Sequence, residues 1–257
     1  MAYNNSRWTR TAPYKPGQKQ AYNISRSKID LFMNCPSCFW LDRRLKIGRP
    51  SSPPFQINKA VDELFKKEFD TYRKKAEPHP LMLEYKIDAI PFAHDDLDTW
   101  RENFIGVQYL HKPTGLNITG AVDDVWINPA GELIVVDYKA TSKKGEVSLD
   151  APWQISYKRQ MEVYQWLLRK NGFEVSNTGY FVYTNGRLDL EGFFDRIEFK
   201  TIVIPYVGND EWIEPVINKI KETLEGDMPR RSPDCEYCTY VQSRVEIYER
   251  NKQKKLL

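Results

Sequence analysis

The chain has 257 residues, and 38 lysines and arginines against 35 aspartates and glutamates leave a formal charge of +3. With 41% hydrophobic and 13% aromatic residues it can bury a core, which excludes wholesale disorder. The near-neutral balance excludes a histone-like blanket of positive charge but leaves room for a local basic groove. No apolar run approaches the roughly 20 residues that span a bilayer. Residues 1–20 hold no apolar signal segment, so the expected compartment is the cytoplasm and no membrane partner is expected.

In chain order, residues 1–22 carry Arg7, Arg10, Lys15 and Lys19 without an acid and read as a flexible basic arm. Ser27, three residues before Asp30, is placed to open a short helix, which Pro36 should end or bend. Ile57, Val61, Leu64, Phe65, Phe69 and Tyr72 recur at helical spacing over about 56–75. Residues 76–104 read as loop plus a short helix. Leu116–Asn128 reads as one strand, Pro129-Ala130-Gly131 as a turn, and Glu132–Thr141 as a second strand, together an antiparallel hairpin. A helix follows over about 153–170, stopped by Gly172. Strands over 178–183 and 196–205 are separated by an Asn185-Gly186 turn, and a last helix covers 210–225. The lysine-rich end, 246–257, reads as a charged tail.

The four cysteines form two CxxC pairs near opposite ends: Cys35 with Cys38, and Cys235 with Cys238. In a reducing compartment paired thiols suit a tetrahedral zinc site or an iron–sulfur cluster better than disulfides. A shared site would tie the N- and C-terminal segments together. The three histidines, His79, His94 and His111, have no metal-ligand spacing among them.

The hairpin carries acids where a core is expected. Asp137 interrupts Leu133-Ile134-Val135-Val136, and an unpaired carboxylate there costs several kcal/mol, by order of magnitude. Period two puts Asp137 and Lys139 on one strand face, and Asp123 or Asp124 lies across the hairpin. Two carboxylates and an ammonium then converge, a set suited to Mg²⁺ or Mn²⁺ and to phosphodiester chemistry. A buried Asp–Lys salt bridge is the plainer alternative.

Gly120-Ala121-Val122-Asp123, then Asp137-Tyr138-Lys139, then Gln160 and Tyr164 at i and i+4, resemble the PD-(D/E)xK nuclease superfamily in its RecB-like branch: GxxD, DxK, QxxxY. The resemblance implies a restriction-endonuclease-like α/β fold, a mixed central sheet flanked by helices. It implies Asp123 and Asp137 as metal ligands and Lys139 as the group that positions or activates the attacking water. Gln160 and Tyr164 would order the site or the nucleic acid. The family often places a further ligand, commonly His, on the helix before the hairpin; here Asp62 stands in that place, with Glu68 also near the apolar stripe. Asp124 points the other way and reads as a neighbour rather than a ligand.

The cysteines are similar in position to those of the CRISPR-associated RecB-like exonucleases, whose four cysteines hold a [4Fe–4S] cluster. The usual one-plus-three arrangement is here two-plus-two, which keeps Zn²⁺ as the alternative. The resemblance implies a nuclease domain over 23–245, with a cysteine lobe from 25–45 and 226–245. The expected activity is Mg²⁺- or Mn²⁺-dependent DNA hydrolysis at single-stranded ends, in repair, recombination or CRISPR-type defence. The expected partners are DNA and a helicase or CRISPR-adaptation protein; no GxxxxGK[ST] loop is present, so a helicase would be a separate chain. A non-catalytic subunit of a nucleic-acid-processing complex is the alternative. Seven Trp and fifteen Tyr offer surfaces for unpaired bases, and Lys143, Lys144, Lys158 and Arg159 flank the expected site.

Overall fold

The computed structural model describes residues 12–50 and 56–254. The chain forms two compact units: Met1–Ser52 with His111–Leu116 and Glu214–Leu257, and Pro53–Leu110 with Asn117–Ile213. Among the described residues no helix is long and apolar enough to cross a membrane.

In the first unit, strand β1 (Tyr22–Ser25) leads into helices α1 (Arg26–Asn34) and α2 (Pro36–Arg44). Ser25, not Ser27, occupies the N-cap, and its hydroxyl meets that of Ser27 at 3.0 Å. Pro36 does end α1, but it also opens α2, because its fixed φ and missing N–H suit the first helical position. The expected basic arm is only partly described. Residues 1–11 lie outside the described part, while Tyr14 is buried and its hydroxyl donates to Glu225. Helices α7 (Ile213–Glu225) and α8 (Glu236–Lys254) complete the unit. The segment expected to be a charged tail thus continues α8 through Lys254, exposed over residues 246–252.

The second unit holds α3 (Gln56–Arg73), the short helices α4 (Pro80–Glu84) and α5 (Leu97–Arg101), and strands β2 (Ile90–Pro91), β3 (Val107–His111) and β4 (Leu116–Gly120). Strands β5 (Asp124–Ile127), β6 (Leu133–Thr141), β7 (Thr178–Gly186) and β8 (Phe199–Val207) follow, with α6 (Ile155–Lys170) between β6 and β7. The main sheet is mixed, in the order β2-β5-β6-β7-β8. Only the β6–β7 pair is parallel, joined by α6 as a crossover helix; the other pairs are antiparallel.

Helices cover both sheet faces. On one, Phe65 of α3 stacks on Tyr138 at 5.1 Å and Phe69 stacks on Trp126 at 5.5 Å. On the other, Tyr157 of α6 packs against Phe181, which is in register with Asp137. This is the expected mixed α/β architecture. The strand expected over Leu116–Asn128 is two strands, β4 and β5, belonging to different sheets. Between them Val122 N–H donates to the carbonyl of Trp100, and the break places Asp123 immediately before β5. Asn185-Gly186 closes β7 rather than forming the turn.

Candidate active site

Asp137 and Lys139 lie two residues apart on β6, and their side chains form an ion pair. The carboxylate is fully buried and neither oxygen accepts a regular hydrogen bond. Asp123 Oδ2 accepts the backbone N–H of Tyr138 at 2.9 Å, which holds it beside β6. Burial, and then the charge of Asp137, push the Asp123 carboxyl up to about 7, against the pull of Lys139 and Lys66. Asp62 on α3 is raised by burial first and then by Asp123, although Lys66 pairs with its Oδ2 at 2.8 Å. Its Oδ1 is buried without a hydrogen-bond partner. Burial opposes the charge of Lys139, but Asp137 and Asp123 outweigh it and raise its pKa.

Helix α6 closes the other side. Gln160 Oε1 accepts from Lys139 Nζ at 3.5 Å, and Gln160 Nε2 donates to the Tyr164 hydroxyl at 3.0 Å. Lys139 Nζ lies 4.6 Å from the centre of the Tyr157 ring. The structure therefore brings Asp62, Asp123, Asp137, Lys139, Gln160 and Tyr164 into one neighbourhood. Tyr157 is a member that sequence reasoning missed. Its signal was its place three residues before Gln160 on the same helix face.

Asp124 faces the opposite side of β5. It is fully buried and accepts from Tyr138 Oη and Arg101 Nη2, both at 2.8 Å, and from Arg73. Asp70 bridges the same two arginines. This network satisfies Asp124 completely, so it is an anchor. Glu68 turns away to His79 Nε2 at 3.0 Å. Lys158 lies over the Tyr206 ring, while Lys143 and Lys144 are exposed on the loop after β6.

A sequence model of the PD-(D/E)XK nuclease superfamily matches residues 56–243, most of the chain and the span that holds these residues. The chain belongs to the PD-(D/E)XK nuclease superfamily. Its mixed sheet flanked by helices is the restriction-endonuclease-like fold of that superfamily, whose nucleases typically use divalent metals. No curated protein matches the chain. Among solved structures, the crystal structure of SSO0001 is similar over 88% of this chain and 86% of that one, at 16% identity and a TM-score of 0.38.

The donor set fits a divalent cation. Asp62 and Asp137 keep buried oxygens without a hydrogen bond, the carboxyls of Asp62 and Asp123 are pushed up in part by neighbouring acids, and a hard cation with oxygen ligands would relieve that repulsion.

The four cysteines form a second candidate metal centre, within the first unit. Their sulfurs all lie within 4.8 Å of one another, with Cys38 at 3.5 Å from Cys238 and 3.6 Å from Cys235, and Cys35 at 3.8 Å from Cys238. Both CxxC pairs share one local geometry. Cys35 immediately precedes α2 and Cys235 immediately precedes α8, so Cys38 and Cys238 fall in the first turns. Two helix N-termini thus offer their positive ends to the sulfurs, while burial raises the thiols of Cys38 and Cys238. Arg49 Nη2 adds a donor at 3.3 Å from Cys235 Sγ. Burial opposes ionisation of Cys35, yet backbone hydrogen bonds at Ser232 and Cys38 and the neighbouring thiols bring it down to about 6.

Proposed function

We propose that the protein is a Mg²⁺- or Mn²⁺-dependent deoxyribonuclease of the RecB-like kind that hydrolyses phosphodiester bonds of single-stranded DNA ends. The observation that carries this reading is the trio of buried Asp137 and half-buried Asp62 and Asp123, with oxygens of Asp62 and Asp137 lacking a hydrogen bond, beside the charged Lys139. These carboxylates would hold the cation, which when bound polarises the phosphate and lowers the pKa of water.

The chain's own groups do the rest. Lys139 stays protonated and donates hydrogen bonds toward the phosphate or the attacking water, opposing the charge that builds on the phosphoryl oxygens. Gln160 accepts from Lys139 and fixes its direction, and Tyr164 receives the Gln160 amide and fixes that side chain in turn. The Tyr157 ring covers the ammonium and keeps water from that side. Such a site serves end processing in DNA repair, recombination or CRISPR-type defence, alongside a separate helicase or adaptation protein.

The four cysteines are a structural metal site in this reading. Resemblance to the CRISPR-associated exonucleases favours [4Fe–4S], but the sulfur spacing favours one tetrahedral ion. A Zn–S bond of about 2.3 Å gives a tetrahedron edge of about 3.8 Å. Thiolates around a four-iron cube each bind a different iron and stand farther apart than thiolates sharing one ion, whereas three of the sulfur pairs here lie at 3.5–3.8 Å. That spacing supports zinc as the proposed occupant, with the [4Fe–4S] cluster as the alternative.

The nuclease reading is tested by incubating end-labelled single-stranded and duplex DNA with the protein in Mn²⁺, in Mg²⁺ and in chelator. Metal-dependent cleavage that disappears in both Asp137→Ala and Lys139→Ala is the expected result. Unchanged cleavage in both variants would place the activity outside this site, and none from the wild type under any condition would leave a non-catalytic binding subunit as the better description.

A further inference from the structure

A groove of about 840 Å³ opens at the far end of β6 from the hairpin turn, starting at Ala140, the residue after Lys139. Its volume lies in the range of ligand sites, about 300–1,000 Å³. Trp153, Tyr157, Tyr183, Phe193 and Phe199 supply aromatic faces. Trp153 and Tyr157 meet edge to face at 5.3 Å, and Tyr157 is also the ring under the Lys139 ammonium. The groove and the candidate catalytic centre therefore share a wall.

Two features of this groove are costly unless used. Trp153 is 59% exposed and Phe193 64% exposed, beside Phe194 at 78%. These aromatics gain little from folding in that state. The loop between β7 and β8 also holds Phe194 at φ 42° and Asp195 at φ 57°, a left-handed backbone that bulky side chains avoid. The loop thus accepts strain while presenting two phenylalanines to solvent. Arg187 and Arg196 line the groove, Arg187 paired with Asp189 at 2.9 Å and Glu198 at 3.3 Å and Arg196 with Glu198 at 3.2 Å, and Lys143 and Lys144 sit on the adjoining loop.

We propose that this groove is a binding site for the unpaired bases of a DNA strand, which stack on Trp153 and Phe193 while the arginines and lysines follow the phosphates. The proposal rests on the nuclease reading for the direction of the strand, which leads from the groove to Lys139. Duplex DNA has its base faces already stacked and offers nothing to this surface. Single-stranded recognition without sequence readout draws on aromatic platforms beside basic side chains, and this groove offers Trp153 and Phe193 with Lys143 and Lys144 on the adjoining loop.

The test reads binding by fluorescence anisotropy in chelator, so that no cleavage intervenes. The probes are a labelled oligodeoxythymidylate, an abasic oligomer of equal length and a blunt duplex. Wild type should bind the oligodeoxythymidylate at least about tenfold more tightly than the abasic oligomer, the affinity of one or two stacked bases. Trp153→Ala, and Phe193→Ala with Phe194→Ala, should each remove most of that difference, whereas Trp153→Phe should keep it. All these side chains are exposed, and an unchanged melting temperature checks that the variants fold. Equal affinity for both single-stranded probes, or full affinity in the alanine variants, would overturn the proposal; a groove built for a protein segment gives that result. Base-dependent binding without cleavage in any metal would keep the groove and sink the nuclease. Cleavage with no base dependence would do the reverse.

Discussion

Gly120 and Tyr164 are in direct contact: a Cβ at position 120 would lie 2.7 Å from Tyr164 Cε1 and 2.9 Å from Cδ1. The glycine that ends β4 is the space into which the tyrosine of α6 fits. Tyr164 is thereby seated to receive the Gln160 amide, which in turn meets Lys139. Gly120→Ala should destabilise the protein by about 1–3 kcal/mol, the usual cost of forcing an extra group into a packed site. Denaturant unfolding measures this, and cleavage should fall further than stability does, because the ring displaced is the one that orients Gln160. A variant as stable and as active as wild type would show that the contact is slack.

Asp123 and Asp124 are neighbours with opposite duties. Asp124→Ala leaves Arg73 and Arg101 buried and short of a partner, and should cost on the order of 3–5 kcal/mol. Asp123→Ala removes a carboxylate that burial and Asp137 already penalise, and should leave the unfolding midpoint in chelator close to wild type while abolishing cleavage. Paired midpoint and activity measurements on the two variants should give opposite patterns.

Metal binding should register as stability. Mn²⁺ at about a hundred times its dissociation constant adds about 2.7 kcal/mol to a protein that binds it only when folded. The wild-type melting temperature should therefore rise with Mn²⁺, and Asp137→Asn should abolish the rise. An equal rise in both would place the ion elsewhere.

His79 makes the second unit sensitive to acid. Its ring stacks on Phe69 at 4.0 Å, Nδ1 accepts the N–H of Leu81, and Nε2 faces Glu68. Nδ1 is thus an acceptor with no room for a proton. Burial lowers the pKa, against the attraction of Glu68 and Asp124. A lowered pKa means the folded state binds fewer protons than the unfolded one. The contribution is complete above the unfolded value and is lost as pH falls through about 6.5. Melting temperatures at about pH 7.5 and pH 5.5, on either side of the ordinary histidine value, should differ more for wild type than for His79→Asn. Identical differences would refute this assignment.

The cysteine site predicts a colourless protein carrying one equivalent of zinc, with metal content lost in Cys38→Ser. A brown protein prepared without oxygen, absorbing broadly near ~400 nm, would restore the iron–sulfur reading.

The β5–β6 pairing and α6 were legible because chemistry and periodicity coincide there, whereas Asp62, Gln160, Tyr164 and the choice of Asp123 over Asp124 came only from the family resemblance. Asp137 stands out in an apolar strand, and Gln160 and Tyr164 share a helix face. The break between β4 and β5 was hidden because Leu116–Asn128 alternates as a single strand would; only the tertiary bond from Val122 to Trp100 reveals it. Helix α8 escaped because its face is exposed along its length, leaving no apolar stripe to read. On α3, Ile57 and Leu64 obey the helical period yet remain exposed, since the period marks a face without saying what covers it. Tyr157 was not legible as a site residue because nothing in the helical period of 153–170 shows that Lys139 lies over its ring.

One peptide bond separates the arginine-clamped Asp124 from Asp123. The candidate ligand has little adjustable slack: its position is inherited from a buried ionic knot on the far side of the sheet. Salt reaches such a knot poorly, and no flexible tether stands between anchor and ligand. Geometry at the scissile phosphate and integrity of the core are then a single property. On heating, the protein should pass from working to unfolded without a folded, idle state between them.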